Sequence, residues 1–126
     1  MKETILLYHV NDEIKVKINE IATSLKIDIR IIEDDEIYET MGYLLKMEGY
    51  EKSIPQQVDF DMSQEFVFFA GMSDQQLDIL LQLFKMNKIP PIPYKAMLTQ
   101  HNINYTFVQL YQSVSREYHE MKQMNA

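Results

Sequence analysis

The chain contains no cysteine, only three glycines and only two arginines. The absence of cysteine excludes disulfide bonds and thiolate metal sites, and it is typical of a protein that works in a reducing compartment. Three glycines are too few for a glycine-rich phosphate loop, and no Gly-x-Ser-x-Gly elbow is present. We therefore predict a protein that holds no cofactor.

Positive charge is also scarce. Twelve Lys and Arg residues stand against 19 Asp and Glu residues, which gives a net charge of −7. Nucleic-acid affinity depends mostly on Lys and Arg side chains that neutralise phosphates, and the only arginines, Arg30 and Arg116, are far apart in the sequence. Long-range repulsion opposes binding to nucleic acid and to anionic membranes. Neither is expected as a partner.

Long hydrophobic runs are missing as well. The apolar run Ile5–Leu7 near the N-terminus is too short for a signal peptide, and a membrane helix needs about twenty apolar residues. We therefore expect a cytoplasmic protein. The length of 126 residues, with 46% hydrophobic residues, suits a single domain that spans 1–126 and buries one core without disulfides or metals.

The first half of the chain alternates strand and helix patterns. Thr4–Tyr8 is a short apolar run and predicts a strand. Asn11 predicts the cap of a helix with an apolar stripe at helical spacing, made of Ile14, Ile18, Ile21, Ala22 and Leu25. Residues 27–32 alternate apolar with polar side chains, which favours a half-buried strand at the edge of a sheet.

An acidic run, Glu33–Glu36, follows this strand and is typical of a solvated loop that leads into a helix. The next helix is predicted from the apolar spacing of Ile37, Met41, Leu44 and Leu45, with Gly49 as its end. Residues 50–64 are polar and predict a long loop. Asp59 and Asp61 lack the glycine and the distal glutamate that a calcium-binding loop requires.

The second half repeats the alternation. Residues 65–70 are apolar on both faces and predict a central strand. Ser73 and Gln76 form a capping box ahead of a helix. Asn87 and Lys88 are expected to end this helix, and the prolines at 90, 91 and 93 prevent its continuation. Residues 94–98 predict a fourth strand. Thr106 and Gln109 form a second capping box before a last helix, whose apolar stripe contains Phe107, Leu110, Tyr111, Val114 and Met121.

The regular alternation predicts an α/β fold, with a four-stranded, mostly parallel sheet flanked by helices. The first and third strands are expected in the middle of the sheet and the second at an edge. An alternative is a ferredoxin-like split βαβ sheet with an extra C-terminal helix. The connection 33–64 is long enough for a helical crossover, which favours the first arrangement.

Several segments resemble one family. These are Phe69–Asp78, the run Lys95–Thr99 with Asn102, and the earlier stretches 41–44 and 48–50. The chain resembles a family of small bacterial proteins known as domain of unknown function 3783. The resemblance implies one intact domain of bacterial origin. It implies no activity, because none is established for the family.

The three histidines, His9, His101 and His119, share no spacing that would gather them around a metal ion. A zinc site needs several convergent ligands, and the chain offers no thiolate to join a histidine. We therefore predict no metal site.

The densest polar cluster is expected where the third and fourth strands end. A single helix links these strands, so they run parallel and their carboxyl ends share one edge, where open α/β sheets bind ligands. The candidate binding residues there are Gly71, Asp74, Gln75, Gln76, Thr99, Gln100, His101 and Asn102. Ser73 and Thr106 are left out because capping uses their hydroxyls.

Three kinds of function fit these observations. The favoured hypothesis is a non-catalytic binding or adaptor domain for an unknown protein or small-molecule ligand. The second is a small enzyme that uses His101 with Asp74 or Thr99 at the sheet edge. The third is a structural subunit that forms a homodimer.

Overall fold

The computed structural model describes residues 1–55 and 59–124. Four strands and four α-helices alternate along the chain, with a short 3₁₀ helix at Asp34–Glu36 and another at Asn102–Asn104. In order, the elements are β1 (Thr4–Tyr8), α1 (Asp12–Ser24), β2 (Asp28–Ile31), α2 (Met41–Leu44), β3 (Phe66–Ala70), α3 (Asp74–Met86), β4 (Tyr94–Met97) and α4 (Phe107–Met124).

The strands form one sheet in the order β2-β1-β3-β4. The sheet confirms the predicted α/β fold, with β1 and β3 in the middle and β2 at an edge. Two of the strand pairs, β1 with β2 and β3 with β4, are parallel, whereas the central pair β1 with β3 is antiparallel. The two strands of each βαβ unit are neighbours, so the alternative of a split βαβ sheet is not adopted.

The sheet is covered by helices on both faces because the side chains of its central strands are apolar on both faces. One face carries Ile5, Leu7, Val67 and Phe69 against α1 and α3. The other face carries Leu6, Tyr8, Phe66 and Phe68 against α2 and α4. All five residues of β3 are buried, as expected of a central strand.

Both predicted capping boxes are present. The Ser73 hydroxyl accepts a hydrogen bond from the Gln76 amide, and the Thr106 hydroxyl accepts one from the Gln109 amide. Each glutamine side chain in turn accepts from the amide of its capping residue. These local contacts start α3 and α4 where the sequence predicts.

The helix predicted from Ile37 to Leu45 is much shorter than expected. Only Met41–Leu44 is α-helical, because Thr40 caps it and Lys46 ends it. Gly49 therefore does not end this helix; it lies three residues beyond the turn. The acidic run forms the 3₁₀ helix Asp34–Glu36, and the described residues between 50 and 64 contain no helix or strand, as predicted.

Within residues 1–55 and 59–124, no helix combines the length and the apolar character that crossing a membrane requires.

Candidate functional site

The predicted polar cluster follows the carboxyl ends of β3 and β4. Parallel pairing places Phe69 beside Met97, so the turns that follow these two strands leave the same edge of the sheet. Gly71 has a φ of 79°, and a Cβ there would lie 2.8 Å from the carbonyl oxygen of Lys2. Gly71 is therefore required for the close approach of two backbone segments.

Three of the predicted residues make structural contacts. Gln76 closes the capping box and donates a hydrogen bond to Glu3 Oε1 at 3.1 Å. Thr99 and Asn102 cap each other: the Thr99 amide donates to Asn102 Oδ1 at 2.8 Å, and the Asn102 amide donates to Thr99 Oγ1 at 3.0 Å. Their hydrogen-bonding groups are thus occupied within the protein.

Asn102 has a further structural role at the edge of the sheet. Its side chain is buried, and its Nδ2 donates a hydrogen bond of 2.9 Å to the carbonyl oxygen of Met97. A side chain thereby takes the place of a further strand at the end of β4. This explains its burial better than contact with a ligand does.

The other four predicted residues are exposed. Asp74 and Gln75 lie in the first turn of α3, while Gln100 and His101 lie in the turn before the second 3₁₀ helix. None of the eight predicted residues lines any of the five concavities described for residues 1–55 and 59–124. A site at this edge stays a prediction.

The most apolar of these five concavities lies beside β4, between the sheet and the C-terminal part of α3. We call it the lysine cleft, and its volume is about 480 Å³. It is lined by Val67, Phe69, Leu81, Phe84, Lys85, Ile89, Pro90, Pro91, Ile92 and Lys95. The two strands and α3 form the floor and one wall, and the segment 89–92 forms the opposite wall.

Local sequence explains this shape. Helix α3 ends at Met86, and the prolines at 90 and 91 prevent a regular structure before β4. The buried side chains of Ile89 and Ile92 anchor the segment, while both prolines stay exposed. The segment therefore bulges beside the sheet and leaves the cleft open.

The charged groups at the rim of the cleft are Lys85 and Lys95, both exposed. Lys95 Nζ donates a hydrogen bond of 3.2 Å to the carbonyl oxygen of Ile92, which holds its ammonium group near the cleft. Within the described part of the chain, neither lysine forms an ion pair. None of the described residues that line the cleft is a carboxylate, so its rim is positive.

Sequence reasoning missed this cleft, because it treated the prolines only as the end of a helix. A usable signal was present: Ile89 and Ile92 are large apolar residues that flank two prolines outside any regular element. Both side chains are buried against neighbouring elements.

A second group of polar side chains lies at the opposite end of the sheet. His9 follows β1 with a φ of 53°, and its ring stacks on that of Tyr8 at a centroid distance of 4.0 Å. His9 Nε2 lies 2.5 Å from Asp34 Oδ1, and both line a small concavity of about 150 Å³. A carboxylate thus orients an imidazole, an arrangement able to transfer protons.

Tyrosines near this end secure the segment 59–64. The Tyr8 hydroxyl donates to the carbonyl oxygen of Met62 at 2.5 Å, and the Gln64 amide donates to the Tyr111 hydroxyl at 2.9 Å. Burial, with a smaller contribution from Asp34, raises the pKa of Tyr8 far above its usual value. Burial also raises the pKa of Tyr111, against the opposing hydrogen bond from Gln64.

A metal site requires several side chains that converge on one point. Residues 1–55 and 59–124 contain no group of three or more His, Asp or Glu side chains placed to hold a metal ion.

Part of the chain matches a known protein family. Residues 65–121 match the model of a family described as a domain of unknown function (DUF3783). The match covers β3, α3, β4 and most of α4, and every residue that lines the lysine cleft lies inside it. No curated protein and no solved structure matches the chain.

Proposed function

Because residues 65–121 match the model of the family described as a domain of unknown function, DUF3783, we propose that the protein is a non-catalytic binding domain whose site is the lysine cleft. The observation that carries the proposal is an open apolar cleft, formed wholly by residues within the segment 65–121 that matches the family model. His9 and Asp34, by contrast, lie outside that segment.

The size and lining of the cleft support this proposal. Sites for small molecules usually have volumes of roughly 300–1,000 Å³, with mostly apolar walls and a few polar groups that set orientation. The lysine cleft has about 480 Å³, eight apolar lining residues and two lysines. A ligand there would bury apolar surface, at about 0.8 kcal/mol per methylene group.

The first experiment measures apolar binding with Nile red, an uncharged dye that fluoresces in apolar surroundings. Leu81 is half-buried in the wall of the cleft, so Leu81→Trp should fill the cleft and remove most of the fluorescence. Leu81→Phe, with a smaller ring, serves if the Trp variant does not fold. The control is Ile79→Trp on the same helix, at an exposed position outside the cleft.

The proposal requires that Leu81→Trp lowers dye binding while Ile79→Trp leaves it unchanged. Equal binding by both variants, at unchanged melting temperature, would place the apolar site elsewhere. The natural ligand is then sought by isolating the protein from its native cells and identifying bound metabolites and proteins by mass spectrometry.

The enzyme hypothesis remains as a second candidate, and the His9–Asp34 pair is the observation that favours it. The His9 imidazole lies 2.5 Å from the Asp34 carboxylate, within reach of proton transfer, whereas His101 and Asp74 lie on separate turns. Any activity found should be lost in His9→Gln and kept in His101→Gln. The reverse result would favour the sheet edge beyond β3 and β4.

The homodimer hypothesis is a separate proposal, tested by sedimentation equilibrium across protein concentrations. A single monomer mass would contradict it. We also propose the bacterial cytoplasm as the compartment, because a chain without cysteine needs no oxidising environment to fold.

A further inference from the structure

We infer that the ligand of the lysine cleft is a free, anionic, single-chain amphiphile, with an alkyl body and one negatively charged head group. The inference rests on the proposed function, because it requires that the cleft binds apolar molecules. It goes further by naming the charge of the ligand and the side chains that recognise it.

The distribution of charge supports an anionic head group. The chain carries a net charge of −7, yet the described residues that line the cleft include two lysines and no carboxylate. Neither lysine is neutralised by an ion pair within residues 1–55 and 59–124. The rim of the cleft is therefore a local positive site on an acidic protein.

The geometry places the positive charge at the mouth and the apolar surface below it. Val67, Phe69 and Phe84 are buried at the floor, whereas Lys85 and Lys95 are exposed. Lysine stems pack along apolar surface while their ammonium groups stay in water. An alkyl chain would lie on the floor, and its head group would meet the lysines.

Lys95 has spare hydrogen-bonding capacity for such a head group. Its ammonium group has three donors, and the contact with the Ile92 carbonyl oxygen uses one of them. The same contact limits the movement of the ammonium group, which lowers the entropic cost of binding an anion.

A small molecule fits better than an acidic polypeptide. The cleft, of about 480 Å³, holds a small molecule but not a folded segment. The net negative charge of the protein would repel every negative charge on an acidic polypeptide. A ligand with a single carboxylate has only one charge that is repelled.

The test compares three probes of equal chain length: decanoate, 1-decanol and decylamine, each below its aggregation threshold. Amide shifts of the ¹⁵N-labelled protein are followed by NMR during titration. We expect decanoate to bind most tightly, with the largest shifts at residues that line the cleft, and decylamine to bind most weakly. Raising the salt concentration should weaken decanoate binding.

The matched variants are Lys85→Gln/Lys95→Gln, and Lys17→Gln/Lys26→Gln as a control with the same change in charge away from the cleft. The first pair should weaken decanoate binding roughly threefold to tenfold, as expected for two exposed charge contacts, and leave 1-decanol binding unchanged. The control pair should change decanoate binding by less than about twofold.

The outcomes separate the two proposals. If 1-decanol binds the cleft as tightly as decanoate, or if both double variants weaken decanoate equally, the inference is wrong and the proposed function stands. If neither decanoate nor 1-decanol shifts the residues of the cleft, both the inference and the proposed function are wrong. Tighter binding of an acidic, apolar peptide than of decanoate would also overturn the inference.

Discussion

Three helices end on a lysine with left-handed backbone. Lys26, Lys46 and Lys88 follow α1, α2 and α3 with φ values of 59°, 59° and 61°. In each case two hydrogen bonds close the turn; after α1, for example, the Lys26 amide donates to Thr23 O and the Ile27 amide to Ala22 O. This is the Schellman motif, in which glycine is usual because it has no Cβ.

Replacing Lys26 by glycine should therefore stabilise the protein. The left-handed conformation is costly for a residue with a Cβ, so we expect Lys26→Gly to raise the free energy of unfolding by about 0.5–1 kcal/mol. Lys26→Ala keeps the Cβ and is the control. Urea denaturation measures both, and an equal effect of Gly and Ala would show that the backbone conformation is not the cause.

The buried tyrosines make stability sensitive to high pH. In the folded protein the pKa of Tyr8 is raised, mainly by burial, from the ordinary value of 10.0, which the unfolded chain retains. The unfolded state therefore loses its proton first, and the free energy of unfolding falls as pH rises above about 10. The contribution of this pKa shift to the free energy of unfolding is fully present at lower pH.

Comparison of Tyr8→Phe with wild type tests this effect. The variant should be less stable at neutral pH, because Met62 O loses its donor, but its stability should decline less steeply between about pH 9 and about pH 11. Tyr105→Phe, at a position 39% exposed, is the control. Equal pH slopes for wild type and Tyr8→Phe would contradict the assignment.

Among the elements, β4 depends on a side chain that is not part of it. Asn102 bonds to Thr99 and Met97 and so closes the end of the strand. Asn102→Ala leaves two backbone groups without partners and should lower the free energy of unfolding by roughly 1–3 kcal/mol. Asn102→Asp keeps the acceptor for Thr99 but loses the donor to Met97, so an intermediate loss is expected.

The exposed neighbour Gln100 provides the control for this measurement. Gln100→Ala should change the free energy of unfolding by less than about 0.5 kcal/mol. If Asn102→Ala were as harmless as Gln100→Ala, the contacts of Asn102 would not stabilise β4, and a role in ligand binding would regain support.

The predicted site at the ends of β3 and β4 can be tested with the residues that the structure leaves free. Gln75→Ala combined with His101→Ala removes exposed groups on both turns without touching Gln76, Thr99 or Asn102. If this edge binds a partner, the variant should recover less of it from native cells than the control Gln82→Ala/His119→Ala. Equal recovery would place the partner elsewhere.

On the scale of the whole molecule, the antiparallel pairing of β1 with β3 separates two ends of the sheet. Thr4 lies opposite Ala70, and Tyr8 lies opposite Phe66. The carboxyl ends of β1 and β2, with His9 and Asp34, therefore lie opposite the carboxyl ends of β3 and β4. A fully parallel sheet would have gathered all of these groups at one edge.

The charge of the whole molecule predicts no useful affinity for nucleic acid. With a net charge of −7, we expect fluorescence anisotropy to detect no submicromolar binding to DNA or RNA at physiological ionic strength. Binding of that strength that weakens steeply with added salt would contradict the prediction and would point to a local basic patch.

The sequence by itself determined the elements that depend on neighbouring residues. The apolar run 66–70 has no polar face, so its strand must lie in the middle of the sheet. The capping boxes at Ser73 and Thr106 need only contacts three residues apart, and they form as predicted. The edge position of β2 likewise follows from its alternating pattern.

The tertiary structure alone decided which of these elements meet. Alternation of strands and helices is the same whether β1 and β3 run parallel or antiparallel, so the position of the strand ends could not be read from it. The sequence predicts that Asn102 meets a ligand. Its contact with Met97 O could not be predicted, because this carbonyl oxygen lies at the free edge of β4 only in the folded sheet. The lysine cleft arises likewise, because Lys85 and Lys95 come together only when α3 packs across β3 and β4.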